Sequence, residues 1–420
     1  MILFINRTYA PDSEAVGQLL TELAEALADK GFHVEVLATN GQFSGVKNGV
    51  YLHKVGGEPV FSRNTFTSRT WSYLRLYPHL YRKAWKLASN AVVVTSTDPP
   101  LHYVFAVLLK KLRGAKLVHW SQDLYPEVAE ELQVLKKGGF VAGWFRHLST
   151  WALKQQDTII CVGRCMQDRL QARGIPLEKI RVIQNWTDVQ KVFPIDHKEN
   201  PFRNLHHLEE KFVVMYSGNF GLAHPFDEIL ESARILKKQN PRIRFVLIGD
   251  GPRKSQIEHV IQAQHLDNVL LLPYQPKDVL AQSLSAADLH LATMFPTLRG
   301  LVVPSKVYGI MAVGRPALFI GSPESEVARL IQENDAGDVL ENLQTEQLVK
   351  RIEWWSQNPR KREIAGLNAR NAIENKGLTH VVTHFEAVFQ PLLEEVLTGP
   401  VALIPTKRVR QPHSVLQERE

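Results

Sequence analysis

The sequence predicts an α/β protein built from two doubly wound units that face each other across a cleft. Short apolar runs alternate with longer amphipathic stretches, which is typical of parallel strands covered by helices. This series occurs twice along the 420 residues, a length that fits two or three domains. With 44% hydrophobic and 22% charged residues, the composition disfavours disordered, collagen-like and repeat-array classes.

The first unit is predicted over residues 1–190 and begins with a strand at Ile2–Asn6. A polar loop and a helix near Gly17–Lys30 follow, and Gly31 can end that helix. Further strands are predicted at 34–37, 91–95, 116–120 and 158–162, with helices near 101–112, 141–154 and 166–173.

The second unit is predicted over residues 191–375, after a polar, proline-containing linker at 188–208. Strands are predicted at 212–217, 244–248, 269–272, 289–292, 316–320 and 339–340, with a helix near 226–238. From residue 345 we expect helices, of which the one at 376–397 crosses back onto the first unit. Residues 398–420 are predicted to form a flexible tail.

The net charge of +7 lies entirely in the first unit. Residues 1–190 carry 23 Lys and Arg against 16 Asp and Glu, whereas residues 191–420 carry 27 of each. Cys161 and Cys165 are too few for a disulfide scaffold or a Cys-rich zinc site. Because the chain has neither a long apolar run nor a signal-peptide start, we expect a cytoplasmic location.

A basic and aromatic stretch is the candidate for a membrane contact. Arg75, His79, Arg82 and Lys86 recur at helical spacing among tyrosines, with Pro78 between them. Such a helix can lie on an anionic membrane at the inner face of the plasma membrane, with Arg75, Arg82 and Lys86 as the membrane face. The alternative is a packed helix with a solvated basic face. Nucleic acid is not expected as a partner, because no recognition motif accompanies the charge.

The strongest single motif is Pro304-Ser305-Lys306, which opens a helix that ends at Gly314-Arg315-Pro316. The N–H groups of the first turn, the Ser305 hydroxyl and the Lys306 ammonium would converge on one anion, such as a diphosphate. From these residues alone, an ordinary core helix with an exposed lysine is an equal alternative.

Two glycine-containing turns follow predicted strands of the second unit. Gly218-Asn219-Phe220-Gly221 allows the backbone to approach a ligand closely, but it lacks the third glycine of a dinucleotide site, so NAD is not expected. Gly249-Asp250-Gly251-Pro252 is followed by Arg253 and Lys254, which can hold phosphate or simply be solvated.

Together with Ala286-Ala287-Asp288, and in this order, these motifs resemble the retaining nucleotide-sugar glycosyltransferases of family 4. The resemblance spans about residues 1–395 and is greatest to bacterial fucosamine and colanic-acid transferases of surface-polysaccharide assembly. It implies the GT-B fold, with the nucleotide-sugar donor in the C-terminal domain. The acceptor, polyprenyl-linked or saccharide, is implied mainly in the N-terminal domain.

The resemblance also implies the site residues. Lys306 and Asp123 are the expected catalytic residues. The expected donor-binding residues are Gly218, Asn219, Phe220, Gly221, Arg253, Lys254, Tyr274, Gln275, Ser305 and Lys306. The expected acceptor-side residues are Tyr9, Gly17, His119, Gln122 and Asp123. Such enzymes stabilise a leaving diphosphate without a protein nucleophile, and we expect neither a metal nor a cofactor, in keeping with the absence of an Asp-x-Asp triplet.

Three departures from the family pattern affect these expectations. The usual glutamates fall at Leu301 and Gly309, so ribose recognition must be moved or weakened. The usual basic pair is replaced by 222–225, and Gln122 stands where a histidine is common. Two alternatives therefore stay open: a nucleotide-sugar 2-epimerase on the same fold, and a catalytically degenerate subunit that binds a partner glycosyltransferase.

Overall fold

The computed structural model describes residues 1–10, 15–39, 44–55, 66–341 and 344–398. The elements of its N-terminal domain are β1 (Ile2–Ile5), α1 (Ala15–Asp29), β2 (Val34–Ala38), β3 (Gly45–Lys47), β4 (Val50–Lys54), α2 (Phe66–Leu87), β5 (Val92–Thr95), α3 (Tyr103–Arg113), β6 (Lys116–Ser121), α4 (Glu127–Glu131), α5 (Phe140–Lys154), β7 (Thr158–Cys161), α6 (Arg164–Ala172) and β8 (Ile180–Val182).

The C-terminal domain repeats the alternation of strands and helices. Its elements, from the linker onward, are α7 (Pro201–Leu205), β9 (Phe212–Ser217), α8 (Phe226–Gln239), β10 (Ile243–Ile248), α9 (Lys254–Ala263), β11 (Val269–Leu272), α10 (Leu280–Ser285), β12 (Leu289–Thr293), α11 (Lys306–Ala312), β13 (Ala317–Ile320), α12 (Glu326–Glu333), β14 (Gly337–Leu340), α13 (Thr345–Gln357), α14 (Pro359–Glu374) and α15 (Leu378–Thr398).

Each domain is built on a largely parallel sheet. The first has the strand order β3-β4-β2-β1-β5-β6-β7-β8, in which only β3 runs antiparallel to its neighbour, and the second has the order β11-β10-β9-β12-β13-β14. The central strands read as unbroken apolar runs because helices cover both faces. The predicted α/β class with two doubly wound units is confirmed.

Helices cover the N-terminal sheet in two layers. Buried residues of α2, α3 and α5 pack on one face, in a hydrophobic cluster that continues into the C-terminal domain. Those of α1 and α15 pack on the other face. The last helix therefore crosses back as predicted: the ring of Phe385 lies 5.3 Å from that of Trp120, and that of Phe389 lies 6.1 Å from that of Phe4.

The sequence missed three short strands, β3, β4 and β8, and it merged the C-terminal helices. The side chains of β3 are all exposed, so this strand carries no apolar run to detect. The helical stretch after residue 345 is divided at Pro359, which occupies the first turn of α14, where its missing N–H is harmless. The predicted tail lies outside the described residues from 399 onward.

Candidate active site

The carboxyl ends of β9, β10 and β12 meet the start of α11, and Lys306 lies at this junction. Its Nζ atom lies 3.7 Å from the centroid of the Tyr216 ring and has essentially no solvent exposure. Among the described residues it has no hydrogen-bond partner, and burial lowers the pKa of Lys306 to about 7. Lys306 is therefore not the exposed lysine of the alternative interpretation but a buried cation without a counter-charge.

Gly218 makes room for this lysine. It has a φ of +147°, and a β-carbon at this position would lie 3.1 Å from both Cε and Nζ of Lys306. A side chain here would displace the ammonium in addition to straining the backbone. Asn219 is exposed beside it, and its carbonyl accepts the Tyr216 hydroxyl (2.8 Å). The predicted glycine turn thus borders the predicted lysine.

Ser305 immediately precedes α11 and makes no capping hydrogen bond with its side chain. Gly221 is buried next to the Asn219 amide. At the end of β11, Tyr274 is 51% exposed, and the Gln275 amide donates to the Pro273 carbonyl (2.9 Å). These four residues lie on loops at the carboxyl edge of the C-terminal sheet, where ligands bind in open parallel sheets.

Three of the predicted donor residues are engaged elsewhere. Phe220 is fully buried among aromatic rings, so it packs in the core. The Arg253 guanidinium donates to the His224 carbonyl (2.8 Å) and pairs with Asp227 of α8 (2.7 Å). These contacts join the turn at 249–252, which Arg253 follows, to the start of α8. Lys254 lies 4.0 Å from Asp250. Sequence spacing could not show that Asp227 meets Arg253.

His224 was missed by the sequence-based prediction. Its Nδ1 lies 2.8 Å from the Thr293 carbonyl oxygen, which can only accept, so Nδ1 carries the proton. Burial, together with the Lys306 charge, holds the pKa of His224 well below its usual range. The imidazole is therefore neutral and leaves Nε2 as an acceptor. The sequence offered one signal for His224: it lies in the segment 222–225, where the family has a basic pair.

On the N-terminal side, Asp123 follows β6 at the opposing sheet edge. Burial and the neighbouring Asp98 raise the pKa of Asp123 to about 7, and its backbone N–H donates to the Thr97 hydroxyl (3.2 Å). Asp98 itself pairs with Arg7 (2.7 Å) at the end of β1. Asp123 is thus a carboxyl group that can gain or lose a proton near neutral pH.

The other acceptor-side predictions fall into two groups. Gly17 allows α1 to approach the loop after β1, since a β-carbon there would lie 2.8 Å from the Thr8 hydroxyl oxygen. Tyr9 is buried in that loop, at 1% exposure. Both residues pack the loop after β1 against α1.

His119 and Gln122 do not line the cleft, contrary to expectation. His119 is 2% exposed, its ring lies 4.2 Å from the Tyr103 ring, and burial lowers its pKa to about 3. Gln122 exchanges two hydrogen bonds with the Asn185 amide (3.0 and 2.9 Å). Alternation along β6 points His119 into the helix layer, and the sequence did not show which face of that strand is covered.

A short backbone contact joins the two domains next to Asp123. Asp123 and Val302 form an antiparallel bridge, and the Leu124 N–H donates to the Leu301 carbonyl (2.8 Å). Leu301 is 3% exposed, so the position of the first expected glutamate is used for packing between domains. At the second, Gly309, a β-carbon would lie 3.3 Å from a methyl group of Leu284.

A second contact between the domains is ionic. Glu326, at the start of α12, is 1% exposed and accepts the Arg164 backbone N–H (2.7 Å), the Arg164 Nε (3.2 Å) and the Gln184 amide (2.7 Å). Arg164 also pairs with Glu333 (2.8 Å), which is more exposed. We name Arg164, Gln184, Glu326 and Glu333 the interdomain latch.

Within the described ranges, no group of three or more His, Cys, Asp or Glu side chains is arranged to hold a metal ion. The expectation that neither a metal nor a cofactor is needed stays a prediction. In the same part of the chain, no helix is long and apolar enough to span a bilayer. The predicted membrane residues Arg75, Arg82 and Lys86 are all exposed on α2.

Comparison with known proteins decides the family. The family Glycosyltransferase Family 4 matches residues 16–191, and the family Glycosyl transferases group 1 matches residues 197–372. The chain belongs to glycosyltransferase family 4. It is 30% identical over 260 residues to the probable glycosyltransferase WbjE of Pseudomonas aeruginosa, which covers 60% of the chain and 64% of that relative. It is 25% identical to WcaI of Escherichia coli, named for colanic acid biosynthesis, over 79% of the chain and 86% of WcaI.

Solved glycosyltransferases share the fold of this family 4 chain. HepE from Anabaena, solved with UDP, superposes with a TM-score of 0.70 at 14% identity and covers 93% of the chain and 99% of HepE. WaaG, a glycosyltransferase involved in lipopolysaccharide biosynthesis, gives a TM-score of 0.70 at 16% identity, over 93% of the chain and all of WaaG. The predicted GT-B fold is confirmed, and these matches do not favour a 2-epimerase.

Proposed function

We propose that this family 4 glycosyltransferase transfers a sugar, with retention, from a nucleoside diphosphate sugar to a growing cell-surface polysaccharide. Relatives named for colanic acid and amylovoran biosynthesis support the polysaccharide product. HepE has been solved with UDP-glucose, which supports a nucleotide-sugar donor. The acceptor in this proposal is a saccharide or a polyprenyl-linked sugar.

The observation that carries the proposal is the unpartnered ammonium of Lys306. A buried cation without a counter-charge is unfavourable, and among the described residues no carboxylate pairs with it. A diphosphate would supply the missing negative charge, approached by the Gly218 backbone and the Ser305 hydroxyl. The same groups would stabilise the charge that develops on the diphosphate as it leaves.

On the acceptor side, Asp123 supplies the complementary chemistry. In the reaction, the bond between the sugar C1 and the diphosphate oxygen breaks, and its electron pair leaves with the diphosphate. The acceptor hydroxyl oxygen bonds to C1 from the same face, and its proton passes to the Asp123 carboxylate. A pKa of about 7 suits a group that must accept this proton near neutral pH.

The protein is proposed to work in the cytoplasm, at the inner face of the plasma membrane. A polyprenyl-linked acceptor is confined to that membrane, so a transferase that acts on it needs access to the lipid surface. The exposed Arg75, Arg82 and Lys86 on α2 support this location through their attraction to anionic lipids.

Nucleotide binding tests the donor assignment. Thermal unfolding is measured for the full chain with UDP, with GDP and with their glucose conjugates, and a ligand at 100 times its dissociation constant stabilises by about 2.7 kcal/mol. Lys306→Met should abolish the response, while Lys254→Met, which changes a lysine already facing Asp250, should preserve it.

Two outcomes would contradict the proposal. A wild-type chain that responds to no nucleotide would favour the degenerate partner subunit. A response that persists in Lys306→Met would remove the diphosphate from this site.

A further inference from the structure

The two helical layers of the N-terminal domain carry opposite charge. Helices α2, α3 and α5, which cover one face of the sheet, contain ten Lys and Arg and no Asp or Glu. Helices α1 and α15 on the other face contain six Asp and Glu and no Lys or Arg. The excess positive charge of the first 190 residues therefore lies mainly on one face of the N-terminal sheet.

The basic layer also exposes large apolar side chains. On α3 these side chains recur three and four residues apart, and on α5 three, four and seven apart, so each helix turns an apolar line toward solvent. Because α3 packs against both α2 and α5, the exposed side chains belong to one surface. We name it the apolar ridge: Trp85, Phe105, Leu108, Leu112, Phe140, Val141, Trp144 and Trp151.

The ridge is most exposed at the start of α5. Phe140 is 90% exposed, Val141 56% and Trp144 55%. Basic side chains border the same helices: the Lys111 ammonium lies 5.7 Å from the Trp151 ring, and the Arg113 guanidinium 5.5 Å from the Trp85 ring. An exposed apolar surface of this kind, on helices whose own charged residues are all basic, indicates a binding surface.

The topology directs this end of the ridge toward the active site. α5 lies between the parallel strands β6 and β7, so it runs antiparallel to them. Its last residue, Lys154, leads into the start of β7, and its first residue, Phe140, consequently lies toward the carboxyl edge of the sheet. Asp123 lies at that same edge.

We propose that the apolar ridge docks on an anionic lipid surface. Phe140, Val141 and Trp144 enter the headgroup boundary, while Arg75, Arg82 and Lys86 contact lipid phosphates. Aromatic side chains combined with lysine and arginine are the composition that suits a membrane interface. The three helices of the ridge carry no carboxylates of their own, and the Glu127 and Glu130 side chains of the neighbouring α4 are paired with Arg146, so repulsion from anionic lipids is small. This inference builds on the membrane location proposed above and adds the inserted side chains, so that the cleft opens toward the membrane.

Vesicle co-sedimentation of the full chain tests the proposal. We expect binding to vesicles of phosphatidylcholine mixed with phosphatidylglycerol, weak binding to phosphatidylcholine alone, and loss of binding in high salt. The double variant Phe140→Ser with Trp144→Ser should lower the partition coefficient about tenfold. Its matched control, Leu205→Ser with Leu367→Ser, changes two similarly exposed residues of the C-terminal half and should bind as wild type.

A second variant and its control separate the attraction of basic side chains to lipid phosphates from the insertion of apolar side chains. Arg75→Glu with Arg82→Glu and Lys86→Glu should abolish binding to the mixed vesicles. The control Lys198→Glu with Lys350→Glu and Lys361→Glu makes the same change of charge at exposed lysines elsewhere and should retain binding. Unchanged thermal shifts with UDP would show that each variant is folded.

Three results would overturn the proposal. One is equal vesicle binding by the ridge variant and wild type. Another is a wild-type dimer that the ridge variant converts to a monomer, with no vesicle binding, because a second copy would then cover the ridge. The third is salt-sensitive binding to RNA without vesicle binding. Lys306→Met should keep vesicle binding while it loses the UDP response, so failure of the donor assignment remains distinguishable.

Discussion

Replacing Lys306 by Met removes a buried charge and keeps an unbranched side chain of similar volume. Burial lowers the pKa of Lys306 from its ordinary value of 10.5 to about 7. Because one pKa unit corresponds to about 1.36 kcal/mol, the buried ammonium destabilises the fold by up to about 5 kcal/mol. The variant also loses the contact with the Tyr216 ring, worth up to about 2 kcal/mol. We expect Lys306→Met to raise the free energy of unfolding by about 3 kcal/mol below pH 7.

The pH dependence distinguishes this explanation from a general packing effect. Because the pKa is depressed in the folded chain, the destabilisation is complete below pH 7, decreases as the pH rises and vanishes near 10.5. Urea unfolding of the ligand-free chain at about pH 6 and about pH 9.5 should therefore give a larger gain at the lower pH. Lys254→Met serves as control, since its half-exposed pair with Asp250 contributes at most about 1 kcal/mol. A variant less stable than wild type, or an equal gain at both pH values, would refute the reasoning.

Three further predictions concern the Lys306 site and the interdomain latch. Gly218→Ala should weaken UDP binding in calorimetry about tenfold or more, because its β-carbon would displace the Lys306 ammonium; unchanged affinity would contradict this placement. Since a bound diphosphate raises the pKa of Lys306, wild-type affinity for UDP should be greatest below pH 7 and fall by up to about tenfold per pH unit above it, whereas Lys306→Arg should lose this dependence. Arg164→Ala should destabilise the chain by about 1 to 3 kcal/mol and speed amide exchange at the start of α12, because the Glu326 carboxylate stays buried; Glu333→Ala should have a smaller effect, and equal effects would argue against the latch.

The sequence predicted the parts of this protein that periodicity and special residues encode. Alternating apolar runs located the central strands. The motif Pro304-Ser305-Lys306 and the turn at Gly218 were expected to share one site, and the fold does place Gly218 against the Lys306 side chain. The errors concerned the ion-pair and hydrogen-bond partners of polar side chains. Arg253 looked free until the fold brought Asp227 to it.

His119 illustrates a different limit. A histidine four residues before Asp123 looked like a cleft residue, but a strand alternates its faces, and only the packing of α3 shows which face of β6 is covered. His224, in contrast, was not singled out although it lies at the site. Its protonation state depends on a hydrogen bond to Thr293 and on the nearby Lys306, which the sequence does not show; its place in the segment where the family has a basic pair was the only signal.

The two missing glutamates and the unpartnered lysine have a common explanation in the structure. Gly309 lies three residues after Lys306 on α11, so a glutamate there would share a helix face with the lysine and could pair with it. Leu301, at the other position, is buried against the N-terminal domain, where its carbonyl accepts the Leu124 N–H. With neither carboxylate present, the charge of Lys306 remains for a ligand to neutralise. The departures that raised the possibility of a degenerate enzyme therefore strengthen the case for an anion at this site.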